Sequence, residues 1–125
     1  MWLMTTLGFF SVVCARQGSG ESENPVDKTR VMIRARDRRH LEALKSRFPS
    51  ELGRLEIAES PSTDYHWRLF CLKEVWAACI ADLARDTDYD NFKDACAKTH
   101  GQTSPYLHAL HDTWSTFHRM GTHRR

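Results

Sequence analysis

Hydrophobic and polar positions alternate most cleanly over residues 30–36, where Val31, Ile33 and Ala35 share one face and Met32, Arg34 and Arg36 the other. Successive side chains of an extended chain point to opposite sides of a sheet, so this stretch predicts a half-buried strand. Upstream, Gly8-Phe9-Phe10-Ser11-Val12-Val13-Cys14 is β-branched and aromatic, and it runs into Gly18-Ser19-Gly20-Glu21-Ser22-Glu23-Asn24-Pro25. That order predicts a strand followed by a loop. Downstream, the Asp37 carboxylate is placed to accept the free amide hydrogens of a first helical turn. Leu41, Leu44 and Phe48 then recur at helical spacing until Pro49 and Gly53 close the helix.

The same order of elements returns. Leu55-Glu56-Ile57-Ala58-Glu59 predicts a short strand, Ser60-Pro61-Ser62-Thr63-Asp64 a turn, and residues 65–72 a fourth strand. Residues 73–86 predict a helix whose apolar stripe is Val75, Trp76, Cys79, Ile80 and Leu83. Two strand-strand-helix units in succession predict an α+β fold: one four-stranded antiparallel sheet with helices on one face. C-terminal helices complete it. A short helix carries Phe92 and Cys96 after Asp88-Tyr89-Asp90-Asn91, and a last helix runs from about Pro105 to Met120. Its Tyr106, Leu110, Trp114 and Phe117 lie on one stripe and are expected to be buried.

Length adds the domain count, since 125 residues bury one core and fall short of two, so residues 1–125 are expected to form a single domain. The hydrophobic share of 41% and the charged share of 27% are those of a globular chain, which excludes a disordered or fibrous class. Residues 1–15 are uncharged, but they lack a basic leader, and Thr5, Thr6 and Gly8 interrupt their apolar run. They also fall short of the roughly 20 apolar residues that span a bilayer. A buried strand and a cytoplasmic protein with no membrane partner are therefore expected. Cys14, Cys71, Cys79 and Cys96 show no CxxC spacing, which predicts free, mostly buried thiols rather than a zinc site or a disulfide framework.

Three stretches, taken together, point to a family. Trp2-Leu3-Met4-Thr5-Thr6-Leu7-Gly8-Phe9-Phe10-Ser11-Val12-Val13, Asp88-Tyr89-Asp90-Asn91-Phe92-Lys93 and Leu110-His111-Asp112-Thr113-Trp114 resemble a family of small uncharacterised bacterial proteins. The resemblance implies a compact bacterial-type domain and carries no activity, ligand or catalytic residue across.

Charge makes the picture more specific. The formal net charge is only +2, yet residues 1–50 hold nine Lys/Arg against five Asp/Glu, and Arg30, Arg34, Arg36, Arg38 and Arg39 fall within ten residues. Five aspartates, Asp82, Asp86, Asp88, Asp90 and Asp94, fall within thirteen. If Val31, Ile33, Ala35, Leu55, Ile57, Trp67 and Leu69 face the helices, alternation sends Arg34, Arg36, His66, Arg68 and Phe70 to the opposite side, with Phe9 and Ser11. Guanidinium groups beside aromatic rings suit a single-stranded nucleic acid, because cations meet phosphates and rings stack on bases. The structural alternative is that the last helix covers this face and the arginines pair with the aspartate run. Arg38, Arg39 and His40 open a helix, where amide hydrogens and the dipole favour an anion; the alternative is a solvated first turn.

Other constellations carry less. His108, His111 and Asp112 are close, and positions 108 and 111 share a helical face, but HExxH is absent and His100, His118 and His123 are equally consistent with a solvated surface. Asp88, Tyr89 and Asp90 offer paired carboxylates for acid/base work or cation binding; against that, Asp90 or Asn91 is placed to cap the helix that follows. No GxSxG, phosphate-binding loop or activated thiol is present. The sequence thus favours a non-catalytic binding module, with neither cofactor nor metal, that contacts an anionic partner such as nucleic acid through Arg34, Arg36, Arg38, Arg39, His66, Arg68 and Phe70. A homo-oligomeric interaction module and a small enzyme using Asp88, Asp90 or His111 are the alternatives.

Overall fold

The computed structural model describes residues 1–122, so His123 lies outside the described residues. The chain divides into two compact units, Met1–Asp88 and the residues from Tyr89 onward, and each is taken by itself.

The first unit is an α+β fold built on an antiparallel sheet. Its strands are β1 (Trp2–Met4), β2 (Phe9–Arg16), β3 (Val26–Ala35), β4 (Ala58–Glu59) and β5 (Trp67–Leu72), and they lie in the order β1-β2-β3-β5-β4. Five strands, not four, make the sheet. The extra one is β1, which pairs back onto β2 with Trp2 opposite Ser11 and Met4 opposite Phe9. The residues that broke the apolar run build the turn between them. Thr5 N–H donates to the Gly8 carbonyl at 2.9 Å, and the Thr5 hydroxyl donates to the same oxygen while accepting the Leu7 and Gly8 amides. At the other edge, the strand expected over 55–59 shrinks to Ala58–Glu59, with Leu55 and Ile57 packed against the core from outside it.

Both predicted strand-strand-helix units are present, joined where β3 pairs with β5. Helices α1 (Arg38–Arg47), α2 (Pro49–Leu52) and α3 (Lys73–Arg85) supply Leu41, Leu44, Phe48, Leu52, Trp76 and Cys79 to one cluster with Phe10, Val12, Val31, Ile33, Ala35, Leu69 and Cys71 of the sheet. Asp37 caps α1 as expected, its carboxylate accepting the Arg39 amide at 2.9 Å. Pro49 does not simply end a helix. Its missing N–H costs nothing at a first helical position, and it starts α2 there. Gly8 locks the β1–β2 hairpin to α1: its φ is +154°, and a Cβ would lie 2.2 Å from the His40 ring. This approach lets the Phe9 amide donate to His40 Nδ1 at 3.2 Å.

The second unit contains α4 (Phe92–His100) and α5 (Pro105–Thr122). Asn91 caps α4 by accepting the Asp94 amide at 3.0 Å, the structural role weighed for this motif above. Cys96, Tyr106, Leu107 and Leu110 are buried, and the His100 and Tyr106 rings meet edge to face at 4.9 Å. The apolar stripe of α5 is real, but its second half is not buried. Trp114 is 54% exposed, with Phe117 and Met120 similarly open. Periodicity identified the stripe, while burial depends on what packs there. Trp114 instead takes Lys93 Nζ over its ring at 5.1 Å and stacks on His118 at 4.9 Å.

No helix among the described residues is long and apolar enough to cross a membrane. All four cysteines are free thiols. Burial pushes Cys71, Cys79 and Cys96 up to about 11, because a thiolate is disfavoured away from water. At pH 8 they should hold on the order of one thiolate in a thousand, so the native protein is expected to alkylate rapidly at the half-buried Cys14 alone and the denatured protein at all four. Peptide mapping after timed iodoacetamide treatment checks this, and rapid native labelling of Cys79 would contradict it. The two tryptophans give a second contrast. Trp76, only 5% exposed, should lose about 3–5 kcal/mol of unfolding free energy on change to alanine. The same change at Trp114 should cost under about 1 kcal/mol, the scale of an exposed cation–π contact. Urea titrations of both variants measure the difference.

Candidate nucleic-acid interface

Alternation along β3 separates the two faces of the sheet. With Val31, Ile33 and Ala35 in the helix-side core, Met32 and Arg34 fall on the opposite face. The register then aligns a row across four strands: Trp2 opposite Ser11, Ser11 opposite Arg34, and Arg34 opposite Arg68. Val13, Met32 and Phe70 form the adjacent row.

Two arginines therefore stand directly opposite one another, a cross-strand arrangement that costs free energy unless the charges are offset. Arg68 is offset fully. Its side chain is 10% exposed, and its guanidinium donates to the Tyr65 carbonyl at 3.2 Å, to Thr63 Oγ1 at 2.9 Å and to the Glu21 carboxylate, with Met32 Sδ beside it. Among the described residues Arg34 bonds only neutral oxygens, Ser11 Oγ at 2.7 Å and the Ser11 carbonyl at 3.4 Å. Burial lowers its affinity for its proton, Tyr65 works against that, and Arg68 and Arg36 lower it further.

Tyr65 binds the cluster together. Its ring carries the Arg34 guanidinium at 4.6 Å and the Arg36 guanidinium at 4.4 Å, while Arg36 also pairs with Asp64 at 2.8 Å. Phe9 lies 6.5 Å from Tyr65, Trp2 meets Phe9 edge to face at 6.0 Å, and Arg30 sits 6.0 Å from the Phe70 ring. Four arginines, Arg30, Arg34, Arg36 and Arg68, thus share the face with the carboxylates of Glu21 and Asp64.

The structure does not bring all the expected site residues together. Arg34, Arg68 and Phe70 lie on this face, with Arg36 joined to it through Tyr65, and His66 is exposed just before β5. Arg38 and Arg39 belong to the start of α1 instead. Arg38 pairs with Glu42 at 2.9 Å and lies 5.3 Å from the Trp67 ring; Arg39 pairs with Asp37 at 2.8 Å. That hydrogen bond holds Asp37 below the usual carboxylate range. The carboxylate also takes the amide that an incoming anion would use. Within the aspartate run, Asp82 pairs with Arg85 and Asp86 with Arg47, so these two do not neutralise the Arg34–Arg68 face.

Sequence reasoning missed Glu21, Thr63, Tyr65 and Trp2. Glu21 and Thr63 lay inside segments read as a loop and a turn, and only the three-dimensional register brings them to Arg68. Trp2 carried a signal, an aromatic residue three positions before the Thr5–Gly8 turn, but three residues are too few for alternation to identify a strand.

In the second unit, a cavity of about 350 Å³ is lined by Lys93, Asp94, Gln102, Leu107, His108, His111 and Asp112. Lys93 Nζ lies 3.4 Å from His111 Nδ1. No cluster of three metal-ligating side chains occurs among the described residues, and Asp88 and Asp90 are both exposed.

Comparison with known protein families, with curated proteins and with solved structures finds no match to this chain. Function therefore rests on the geometry.

The arginines of this face should divide by burial. Arg36→Ala, at an exposed ion pair, should cost under about 1 kcal/mol. Arg68→Ala removes the guanidinium that donates to Thr63, the Tyr65 carbonyl and Glu21 and should cost about 2–3 kcal/mol, less than a fully buried pair because Glu21 is 32% exposed and can rehydrate while Thr63 still donates to the Tyr65 carbonyl. Chemical denaturation of the two variants tests the ordering, and equal losses would contradict it.

Proposed function

We propose that this protein is a non-catalytic binding module whose sheet face contacts a single-stranded nucleic acid. The observation that carries the reading is the cross-strand pair of Arg34 and Arg68, with Arg36 beside them, set among the rings of Tyr65, Phe9, Trp2 and Phe70. Like charges placed opposite each other in a sheet weaken it unless they are offset, and here Glu21 offsets Arg68 while Arg34 keeps its charge. Phosphates satisfy such a pair, and rings supply surfaces on which bases of any sequence stack. Trp2, at 69% exposure, is the ring most open to a base.

Arg34, Arg36, Arg68 and Phe70 are the contact residues in this reading, with Trp2 and Phe9 added. His66 flanks the face, and Arg38 and Arg39, occupied at α1, contribute to the field around it. The resemblance to a small bacterial family and a cytoplasmic location belong to the same proposal. A second reading, self-association, is favoured by one observation: the open stripe of Trp114, Phe117 and Met120 on α5.

Purified protein is expected to bind single-stranded RNA at low salt, with affinity falling as salt rises by a slope of about 0.7 per phosphate contact. Changing Arg34 and Arg36 together to glutamine should weaken binding at least tenfold and flatten that slope by about one to two units. Circular dichroism of the double variant separates lost binding from lost folding. Absence of binding by the unaltered protein at low salt would remove this reading and leave self-association, which sedimentation of the Trp114→Ser variant would then test.

A further inference from the structure

The segment between β2 and β3 runs back over the arginine face. Its stem is held by the Gln17 amide on the Pro25 carbonyl at 2.9 Å and by Asn24 Nδ2 on the Gln17 carbonyl at 3.1 Å. Its tip lies on the sheet. Gly20, with φ +90°, sits so close to Phe70 that a Cβ would fall 2.8 Å from the ring, and Glu21 places its carboxylate on the Arg68 guanidinium. Glu23, two residues on, is exposed and makes no ion pair among the described residues.

We infer that Glu21 is an internal stand-in for a partner phosphate, and that residues 18–24 form a strap that closes part of the nucleic-acid face until the partner displaces it. This rests on the binding reading above and adds its regulation. A guanidinium as buried as that of Arg68 requires an anion, because an unpaired charge out of water is costly. The carboxylate of Glu21 meets that requirement while the face is empty. A phosphodiester meets it as well and also reaches Arg34, which stands opposite Arg68 with no carboxylate in ion-pair contact. The exchange is one anion for one anion, so Arg68 never loses its counter-charge. Lifting the strap also frees the Phe70 ring for stacking.

The chain favours such an opening. Gly18, Ser19, Gly20 and Ser22 add little side-chain packing, the Glu21 carboxylate is reachable by water, and the Gln17 amide to Pro25 carbonyl bond at the stem lies outside residues 18–24. Opening therefore breaks the Arg68–Glu21 ion pair, the Gly20–Phe70 contact and the 3.0 Å hydrogen bond from the Arg16 amide to the Gly20 carbonyl.

The test is binding of a twelve-nucleotide oligouridylate to the full chain, with Glu21→Gln as the principal variant and Glu23→Gln as its control. Glutamine keeps the length and hydrogen bonding of residue 21 without its charge. Glu21→Gln is expected to bind about tenfold more tightly and to steepen the salt slope by about 0.7, the share of one phosphate contact on a single strand. Glu23→Gln should change affinity less than twofold. Hydrogen exchange of the unaltered protein should show the Arg16 amide, which donates to the Gly20 carbonyl at 3.0 Å, losing protection when the oligonucleotide binds. Equal tightening by both variants would show a general charge effect and overturn the strap. Unchanged affinity of Glu21→Gln, with binding still lost on changing Arg34 and Arg36, would overturn the strap while leaving the binding reading intact. No binding by any form would remove both. If Glu21→Gln unfolds, the exchange measurement on the unaltered chain decides, since continued protection of the Arg16 amide in the complex would overturn the inference.

Discussion

The pairing of β3 on both sides is the constraint on which the rest of the first unit depends. It is the middle strand of five, hydrogen-bonded to β2 and β5, and Val31, Met32, Ile33 and Ala35 are all buried. A shift of one residue in either register would carry Val31, Ile33 and Ala35 to the arginine face and Arg34 into the helix-side core. Burial of a charge there is so costly that the register is fixed by exclusion as much as by packing. Once it is fixed, the positions of Arg34, Arg68, Phe70 and Ser11 follow with no further choice. The helix-side core and the arginine face are two outcomes of one alternation.

That dependence explains what was legible in the sequence. The strand over 30–36, the Asp37 cap and the stripes of α1 and α3 each rest on contacts within a few residues, and local periodicity reports them well. The α+β class and the antiparallel sheet followed from the repeated order of elements. The face assignment of Arg34, Arg68 and Phe70 followed from parity alone. The fifth strand did not, because Trp2–Met4 is short and its identity comes from pairing with Phe9–Ser11, not from its own pattern. Nor did the shortening of the strand over 55–59. Leu55 and Ile57 have the right polarity and pack on the core, yet polarity does not require a ladder partner.

The partners of the arginines were not legible for a related reason. One reading gave them the aspartates of the 82–94 run, but charges pair by proximity in the fold. Asp82 and Asp86 meet Arg85 and Arg47, while Arg36 and Arg68 take Asp64 and Glu21 from turns that carried no chemical signal. Arg38 and Arg39 show how a short sequence cluster can be split. They follow Arg36 by two and three residues, yet the turn from β3 into α1 sends them to Glu42 and Asp37.

The opposed arginines set a definite electrostatic requirement. Two unit charges about 5 Å apart repel by roughly 3 kcal/mol at the effective dielectric of about 20 suited to protein sites. Tyr65 offers Arg34 a cation–π contact on the order of 1–2 kcal/mol at a partly dry site, and Ser11 adds a hydrogen bond of about 1.5–3 kcal/mol to a charged group. Much of that gain only replaces the water that burial removes from Arg34. It does not leave enough to offset a second bare cation next to it as well. Glu21 removes the difficulty by neutralising Arg68, and then Arg34 is the only net charge in that row. With Glu21 withdrawn and nothing in its place, the row would hold two adjacent cations and one dry guanidinium. The arrangement closed by Glu21 is therefore a low-energy state of this face and an open, anion-free sheet a high-energy one; the external anion of the proposed strap would meet the same requirement.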